Sequence, residues 1–585
     1  MKINVISDTK IRDANIDFEV IHFMVKKIKG NIELALHPVN AYKIEKKATI
    51  NFFINCANYN FFKDSKLNIA LIDHTIITKN VLEYLPLFDY VIVKDNYSKS
   101  ILESYTNKFT NKPNYVCFGW GSPSITEFTR NKNFDKVLMY IPSLRDDIFN
   151  RIIDAWKPEY PTLEIVGGER IRNKREADNI NFNDNITNEG FHRLFNEIGF
   201  HLIPEKYNGF SHFVNQCKQV GAVPICLDNS SNKEIVNSEI GYLIPCKRAK
   251  VKNKSLLDNI GPTLSVNIDS ITNTLDMVFS KNVLNHQFMS KNNITDYNKY
   301  YNKFSALFKD TFDDIVKRAR EMPKPTAVKL TDSDLPSVSI ITPTFNRPEF
   351  FKLAILNFNS FDYPRDKIEW IIVDDSDNDE TEMQLPPAES RGKYNINYIR
   401  PSVQADKLMS IGEKRNLAIR NSKNDIIVCM DDDDYYYPEY LKNRVSSLVS
   451  YNKNKNTLCT VCTHLGTFEF TRIISMIYSP KSGELFKEQI APNTLVFYRE
   501  FFDEENGNNF EDCSRGEAEQ LIGERLHIIE PVSWENNVVT LLHSNNIRDI
   551  YPPQNQETNG SHFKFKESVF KFITSIGKKK EELKE

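Results

Sequence analysis

The sequence predicts an α/β protein built from parallel sheets, with a second set of strands that restarts after a proline-rich break. Short β-branched runs alternate with longer amphipathic segments, an arrangement typical of strands joined by crossover helices. The segment Glu321–Pro336 has three prolines and little apolar content, which predicts a linker. The strands predicted before it are Lys2–Ser7, Thr49–Ile54, Asn68–Ile72, Tyr90–Val93, Val137–Tyr140, Leu163–Val166, Phe200–Ile203 and Val223–Cys226.

Composition limits the class of protein. The chain has 585 residues, which predicts three or four domains at roughly 100–200 residues each. A hydrophobic content of 40% and a net charge of -3 indicate a globular protein with no electrostatic reason to bind nucleic acid. The sequence shows no signal-peptide segment and no apolar run near the ~20 residues of a membrane span, so we expect a cytoplasmic protein. The isolated pair Cys459 and Cys462 favours buried thiols over a zinc site.

Polar residues follow three apolar strands of the C-terminal half. In open α/β sheets, ligands bind in the crevice beyond the carboxyl ends of the strands. The three clusters together therefore predict one binding site. The strand and polar segments are Val338–Ile341 with Thr342–Arg347, Ile368–Val373 with Asp374–Ser376, and Ile426–Met430 with Asp431–Asp434.

The third cluster consists of four consecutive aspartates. Residues i and i+2 of an extended chain point the same way, so Asp431 and Asp433 can face one crevice together. Their carboxylate oxygens suit Mg²⁺ or Mn²⁺, which complete their ligand shell with substrate phosphates. The alternative is a solvated acidic turn, with Asp434 near the N-terminus of the following helix.

The segments PTFNRPEFF, IEWIIVDDSDND and GEKRNLAIRNSKNDIIVCMDDDDYYYP resemble family 2 glycosyltransferases with the GT-A fold. The resemblance covers roughly Ser337 to Asp549 and implies a nucleotide-sugar donor, usually a UDP-sugar. Asp431 and Asp433 match the acidic positions of the DxD motif, and His543 matches a histidine that completes the metal shell in related enzymes. The implied donor-binding residues are Pro343, Thr344, Asn346, Arg347, Asp374, Asp375, Arg415, Asn416, Asp431 and Asp432.

The same resemblance implies an acidic residue that accepts the proton of the acceptor hydroxyl. Gly516 and Glu517 match the start of a GED-like pattern, but Ala518 replaces its second acid. The base therefore stays open among Glu517, Glu519 and Asp512. A single displacement at the anomeric carbon inverts its configuration. No QxxRW segment is present, which favours transfer of single sugars to a glycan or glycosylated acceptor over polymer synthesis.

The segment IGFHLIPEKYNGFSHFVNQCKQVGAVPICLDN resembles the donor-binding part of GT-B glycosyltransferases of the family 4 type. The resemblance covers about Met1 to Arg320 and implies two Rossmann-like domains, with a long final helix at Tyr297–Arg320. Where such enzymes carry two glutamates, this chain has Asn208 and Gln216, next to Gly209 and Phe210, and Arg145 is its one match for the phosphate-binding cations. The half is either a degenerate domain for acceptor binding or scaffolding, or a second transferase.

We thus expect a GT-B-like pair of Rossmann-like domains at 1–130 and 131–320, a linker at 321–336, a GT-A domain at 337–550 and a basic tail at 551–585.

The apolar positions Phe565, Val569, Phe572, Ile573 and Ile576 have helical spacing, so the tail either packs on its own domain or makes weak contact with an anionic membrane surface. Two other classes stay open, a sugar nucleotidyltransferase and a non-catalytic carbohydrate-binding scaffold.

Overall fold

The fold was described from a computed structural model of the chain. It forms two compact units, Met1–Met322 and Pro323–Glu585. Both are α/β units with parallel strands, which confirms the predicted fold class. The structure describes residues 1–8, 12–39, 48–62, 65–107, 112–123, 131–141, 148–167, 177–184, 186–205, 209–249, 263–322, 330–401, 408–462, 465–469, 474–478, 490–523, 525–532, 535–543, 563 and 565–581.

The first unit begins with a strand and ends with a long helix. Its strands are β1 Lys2–Ser7, β2 Glu33–Pro38, β3 Ile50–Ile54, β4 Leu67–Leu71, β5 Tyr90–Val93, β6 Asn114–Cys117, β7 Asn133–Tyr140, β8 Thr162–Val166, β9 Ile180–Asn183, β10 Ile198–Ile203, β11 Val223–Leu227, β12 Tyr242–Ile244, β13 Lys247–Ala249 and β14 Thr263–Ser265. Its α-helices are α1 Arg12–Val25, α2 Tyr59–Phe62, α3 Lys79–Glu83, α4 Asn96–Thr106, α5 Ile148–Asp154, α6 Asn188–Glu197, α7 His212–Gln219, α8 Asn232–Ile235, α9 Ile268–Phe279 and α10 Val283–Glu321.

Two parallel six-stranded sheets organise this unit. The first has the order β2-β1-β3-β4-β5-β6, and the second has the order β12-β11-β10-β7-β8-β9. Strands β3 and β4 are buried along their whole length, because helices cover both faces of a parallel sheet. All eight strands predicted for this half are present, with bounds that differ by a few residues.

Helix α10 connects the two sheets of the first unit. It begins at Val283, earlier than the predicted Tyr297, because the side chain of Asn282 caps it by accepting a hydrogen bond from the backbone N–H of Leu284 at 2.9 Å. Asn293 in its first half donates to the carbonyl of Ala222, next to β11. Aromatic residues in its second half, such as Phe304, pack into the core of the first sheet. The helix therefore fastens one Rossmann-like half to the other.

The second unit begins at Pro323. Its strands are β15 Val338–Thr344, β16 Ile368–Asp374, β17 Ile396–Ile399, β18 Ile426–Cys429, β19 Tyr435–Tyr436, β20 Cys459–Val461, β21 Leu465–Glu469, β22 Ile474–Tyr478, β23 Val496–Tyr498, β24 Ile529–Pro531 and β25 Val538–Leu542. Its α-helices are α11 Pro348–Ser360, α12 Ala388–Arg391, α13 Ile411–Arg420, α14 Tyr440–Lys455, α15 Ala518–Ile522 and α16 Glu567–Glu581.

A seven-stranded mixed sheet forms the centre of the second unit, in the order β17-β16-β15-β18-β23-β20-β24. Strands β15, β16 and β18 are parallel neighbours, so their carboxyl ends lie at the same edge. Trp370 of β16 fixes helix α11 against this sheet, since its ring stacks on Phe358 at 4.6 Å and on Phe351 at 5.7 Å. A smaller sheet, β19-β25-β21-β22, carries the residues that follow the four aspartates.

The C-terminal tail forms helix α16, whose apolar side is covered by its own unit. Ile573 and Ile576 are buried in a cluster with Phe350 of α11, Tyr435 of β19 and Leu541 of β25. The described part of the tail thus packs on its own unit. No helix among the described residues has the length and hydropathy required to span a bilayer.

Candidate active site

The carboxyl ends of β15, β16 and β18 surround one cavity of about 510 Å³. Thr344 from the first strand, Asp375 from the second and the four aspartates after the third all line it. The parallel pairing explains this, because Thr344 lies directly opposite Asp374 across the β15–β16 ladder. The three polar clusters of the sequence thus meet at one place.

Each of the four aspartates has its own partner. Arg415 donates to Asp431 at 2.7 Å, Thr344 donates its hydroxyl to Asp432 at 2.6 Å, and Arg347 donates to Asp433 at 2.7 Å. The fourth carboxylate, Asp434, accepts from the backbone N–H of a β25 residue at 3.2 Å and from the amide of Asn493. The run is therefore not a solvated turn, because three of its four side chains, Asp432 to Asp434, are buried.

Burial and neighbouring charges separate the pKa values within this run. Burial, with the adjacent charge of Asp433, raises the pKa of Asp432 to about 7. Burial also raises the pKa of Asp431 and Asp434. Burial alone would raise the pKa of Asp433, but the hydrogen bond from His543 and the charge of Arg347 outweigh it and hold that pKa below its ordinary value. Asp433 is therefore the carboxylate that stays ionised most readily.

Three of the aspartates are close enough to share a cation. Oxygen atoms of Asp431, Asp433 and Asp434 all lie within 4.8 Å of one another. Three hard carboxylate oxygens fit Mg²⁺ or Mn²⁺, which take oxygen ligands. His543 stands beside this set, with its Nε2 at 3.1 Å from Oδ2 of Asp433. Sequence reasoning assigned no metal role to Asp434, because a carboxylate adjacent to Asp433 points to the opposite side in an ideal strand.

The donor-side residues divide into two groups. Pro343, Thr344, Arg347, Asp375, Arg415, Asp431 and Asp432 line the cavity. Asp375 is held by an ion pair with Lys414 and by the backbone N–H of Met409 at 3.0 Å. Lys414 also donates to the carbonyl of Thr344 at 3.1 Å. Sequence reasoning missed Lys414, although its position directly before Arg415 could have drawn attention to it.

The remaining donor-side residues, Asn346, Asp374 and Asn416, are not among those that line the cavity. Asp374 accepts a hydrogen bond from the hydroxyl of Tyr398 at 2.8 Å, and Asn416 exchanges hydrogen bonds with the backbone of Phe510. Asn346 has a left-handed backbone, with φ of 47°, which asparagine tolerates better than most residues. These three side chains brace the loops around the cavity.

The candidate bases occupy different positions. Glu517 and Asp512 line the cavity, whereas Glu519, on helix α15, does not. Glu517 is buried and accepts a hydrogen bond from Arg415, which also binds Asp431. Burial would lower the pKa of Arg415, but the charges of Asp431 and Glu517 outweigh it and raise that pKa. Arg415 thus links the acidic run to one candidate base.

The segment 511–517 reaches the cavity because it packs against the start of helix α13. The backbone N–H of Gly412 donates to the carbonyl of Cys513 at 3.1 Å. A Cβ atom at Gly412 would stand 1.8 Å from the carbonyl oxygen of Glu511. The side chain of Ser410 and that of Glu413 form a capping box at this helix end. Only glycine permits this close approach of the two backbones.

The residues assigned to a second site in the first unit are only partly described. Arg145 and Asn208 lie outside the described residues. Phe210 is buried in the core, and Gln216 donates to the carbonyl of Pro123 at 3.4 Å. A Cβ atom at Gly209 would stand 2.8 Å from Oδ1 of Asp73. Gly209 thus packs against Asp73, which follows strand β4 of the first sheet.

A buried polar network spans the two halves of the first unit, and sequence reasoning missed it. Asp17 of α1 pairs with Lys94 at 2.7 Å and accepts from the indole N–H of Trp120 at 2.8 Å. Nε2 of His212, at the start of α7, lies 3.1 Å from the same carboxylate. Ser122 then contacts the other ring nitrogen of His212 at 2.9 Å. No local sequence pattern connects residues so far apart in the chain.

The fold and the cavity point to one class of protein, the glycosyltransferases. Comparison with protein families agrees. Residues 339–502 match the model of Glycosyl transferase family 2. The second unit therefore contains a glycosyltransferase domain of family 2, as the motifs of the sequence predicted.

Two curated relatives carry the same class of activity in their names. Poly(ribitol-phosphate) beta-N-acetylglucosaminyltransferase TarS of Staphylococcus aureus is 24% identical over 116 residues, which are 20% of this chain and 19% of TarS. A dolichyl N-acetyl-alpha-D-glucosaminyl phosphate 3-beta-D-2,3-diacetamido-2,3-dideoxy-beta-D-glucuronosyltransferase of Methanococcus voltae is 24% identical over 168 residues, 27% of this chain and 51% of that protein. The chain thus spans about half or less of either relative.

Among solved structures, residues 1–349 of S. aureus TarS in complex with UDP-GlcNAc share 16% sequence identity with this chain. The match has a TM-score of 0.29 and covers 36% of this chain and 60% of TarS 1–349.

Proposed function

We propose that the chain transfers a single sugar from a UDP-sugar to an acceptor hydroxyl, with inversion, and that its second unit carries the reaction. The observation that supports this most directly is the cavity of about 510 Å³, where three carboxylates lie close enough to share one cation beside Thr344 and Asp375. The acceptor is a glycan or another glycosylated molecule.

The donor occupies the side of the cavity formed by β15 and β16. Pro343, Thr344 and Asp375 contact the uracil and ribose, since they lie at the two strand ends. Lys414 fixes the orientation of Asp375 through their ion pair. Arg347 and Arg415 present guanidinium groups to the diphosphate, whose oxygens they can bind in a bidentate manner.

A divalent cation, Mn²⁺ or Mg²⁺, is held by Asp431 and Asp433, with Asp434 or His543 as the further protein ligand. When bound, it stabilises the negative charge that develops on the departing diphosphate. The fit rests on the three oxygen ligands within 4.8 Å of one another. Asp433 is the principal ligand because its pKa is lowered, so it is ionised over the whole neutral range.

Glu517 accepts the proton of the acceptor hydroxyl as general base. It lines the cavity, and its hydrogen bond with Arg415 fixes its position relative to Asp431. Asp512 is exposed at the same cavity and is the second candidate. Glu519 is the least suitable of the three, since it lies outside the lining.

The first unit serves acceptor binding or scaffolding and does not transfer sugar. In the GT-B-like arrangement the donor binds between the two halves. Here the buried network of Asp17, Lys94 and His212 joins the halves, and Gly209 packs directly on Asp73. The side chains of this network are buried, so a donor does not reach them.

The test uses the full chain, a panel of UDP-sugars and Mn²⁺, with UDP release as the measurement. We expect UDP release with one donor. In Asp433→Asn the rate of release falls by at least about 100-fold, because charge stabilisation at the leaving group is lost. In the control Asp366→Asn, which alters an exposed aspartate outside the cavity, the rate does not change.

No release with any donor would instead support a carbohydrate-binding scaffold, and formation of a UDP-sugar from UTP and a sugar phosphate would support a nucleotidyltransferase. UDP release that survives Asp433→Asn would contradict the role of Asp433 as the principal metal ligand.

A further inference from the structure

Arg347 forms an ion pair with Asp433, the carboxylate that the proposed cation requires. Its guanidinium lies 2.7 Å from Oδ2 of Asp433 and 3.5 Å from Oδ1 of Asp432. Nε2 of His543 contacts the same Oδ2 at 3.1 Å. The carboxylate of Asp433 is therefore already paired with the charge of Arg347, and His543 contacts the same oxygen.

Two cations cannot share this carboxylate at close range without repulsion. The side chain of Arg347 is only 20% exposed, so water screens its charge poorly and its repulsion of a divalent ion is strong. An arginine guanidinium is effectively always protonated in a protein. Arg347 thus stays charged. Its positive charge is removed from the neighbourhood of Asp433 only if the guanidinium moves away.

A diphosphate provides the alternative partner for that movement. Arg347 lines the cavity directly before helix α11, on a long side chain that can rotate while its backbone stays in place. A guanidinium binds phosphate oxygens in the same two-point geometry as a carboxylate. The exchange therefore replaces one charge-assisted hydrogen-bonded pair with another and frees Asp433.

We propose that Arg347 is an internal counter-ion that makes metal binding depend on the donor. Without a nucleotide diphosphate it pairs with Asp433 and weakens binding of the cation. With the diphosphate present it pairs with phosphate, and Asp433 becomes available to hold the cation. This inference rests on the proposed metal-dependent function, and it adds an order of binding that the acidic run alone does not require.

The experiment measures Mn²⁺ binding to the full chain by the electron paramagnetic resonance signal of free Mn²⁺, with and without UDP. For the unmodified protein we expect UDP to tighten Mn²⁺ binding by at least about tenfold, within the usual range of coupling between sites, and Mn²⁺ to tighten UDP binding by the same factor. In Arg347→Gln, Mn²⁺ binding without UDP becomes several-fold tighter, and the coupling falls to about threefold or less.

Two further variants make the outcome decisive. Arg347→Lys keeps the positive charge and so keeps most of the coupling, which a purely structural role of the residue would not predict. Arg420→Gln, which alters an exposed guanidinium paired with Glu504, leaves the coupling unchanged.

Mn²⁺ binding that is equally tight with and without UDP in the unmodified protein would overturn the inference while leaving the metal site intact. So would equal coupling in Arg347→Gln and the unmodified protein. If Arg347→Gln does not fold, loss of coupling in Arg347→Lys would overturn it as well. No Mn²⁺ binding even with UDP would refute the metal-dependent function itself.

Discussion

Replacing Gly412 by alanine tests whether the segment 511–517 is held in place by the start of helix α13. The added Cβ would stand 1.8 Å from the carbonyl oxygen of Glu511. The two backbones must therefore separate by about 1.2 Å before even a 3.0 Å contact is restored. Because the obstacle is backbone and cannot rotate away, we expect a loss of about 2–3 kcal/mol in stability, the upper part of the range for overpacking.

Two measurements follow from this estimate. With an m-value of about 2 kcal/mol/M, the urea midpoint of the second unit falls by about 1 M. Displacement of Glu517 and Asp512 by about 1 Å lowers the rate of sugar transfer by about 100-fold. The matched control is Gly392→Ala, since nothing lies within 4 Å of a Cβ at Gly392 and its backbone is right-handed.

Gly392→Ala should unfold at the original midpoint or slightly above it, because alanine restricts the unfolded chain. A Gly412→Ala variant with the original midpoint and rate would show that the close approach does not position the segment.

Four further predictions concern charged groups and the metal. Glu517→Gln lowers the single-turnover rate of transfer by about 10²–10⁴-fold, the typical contribution of a general base, and Asp512→Asn has the larger effect only if Asp512 is the base. Asp17→Asn destabilises the first unit by about 3–5 kcal/mol, measured by urea unfolding, because it breaks the buried ion pair with Lys94. A loss smaller than about 1 kcal/mol would show that the network is dispensable. Burial would raise the pKa of Asp17, but Lys94 and His212 outweigh it and lower that pKa, so its contribution is present above about pH 4 and is lost as the pH falls further. Unfolding midpoints of the unmodified chain should drop there more steeply than those of Asp17→Asn. Finally, a chelator stops UDP release and added Mn²⁺ restores it; undiminished release after dialysis against chelator contradicts the metal requirement.

The fold class and the meeting of the three polar clusters were predictable from local sequence. A buried parallel strand is a short β-branched run, and its polar end marks the edge where ligands bind. Strand β2 was missed because its side chains are partly exposed and its sequence, ELALHP, contains charged and ring residues that weaken the pattern. Helix α10 was predicted too short because its cap, Asn282, lies well before the aromatic positions of its second half.

The partners inside the site could not be predicted, because they depend on packing between distant segments. Arg347 and Asp433 are 86 residues apart, and Arg415 and Glu517 are 102 residues apart. The pairing of β15 with β18 brings the first two residues together. The packing of the segment 511–517 on the start of helix α13 brings the second two together. Asp434 illustrates the same limit. Strand geometry alone would direct its carboxylate to the other side, but that carboxylate accepts a hydrogen bond from the backbone N–H of Leu541.

Helix α16 has a practical consequence for the preparation of smaller fragments. Its residues Ile573 and Ile576 cover Phe350 and Tyr435, and the ring of Phe350 stacks on the imidazole of His543 at 4.2 Å. A recombinant fragment that ends after β25 would expose this apolar surface to solvent, including Phe350, the residue that packs on the imidazole. Expression boundaries for crystallisation or screening should therefore extend at least to Ile576, even though the motifs end long before it.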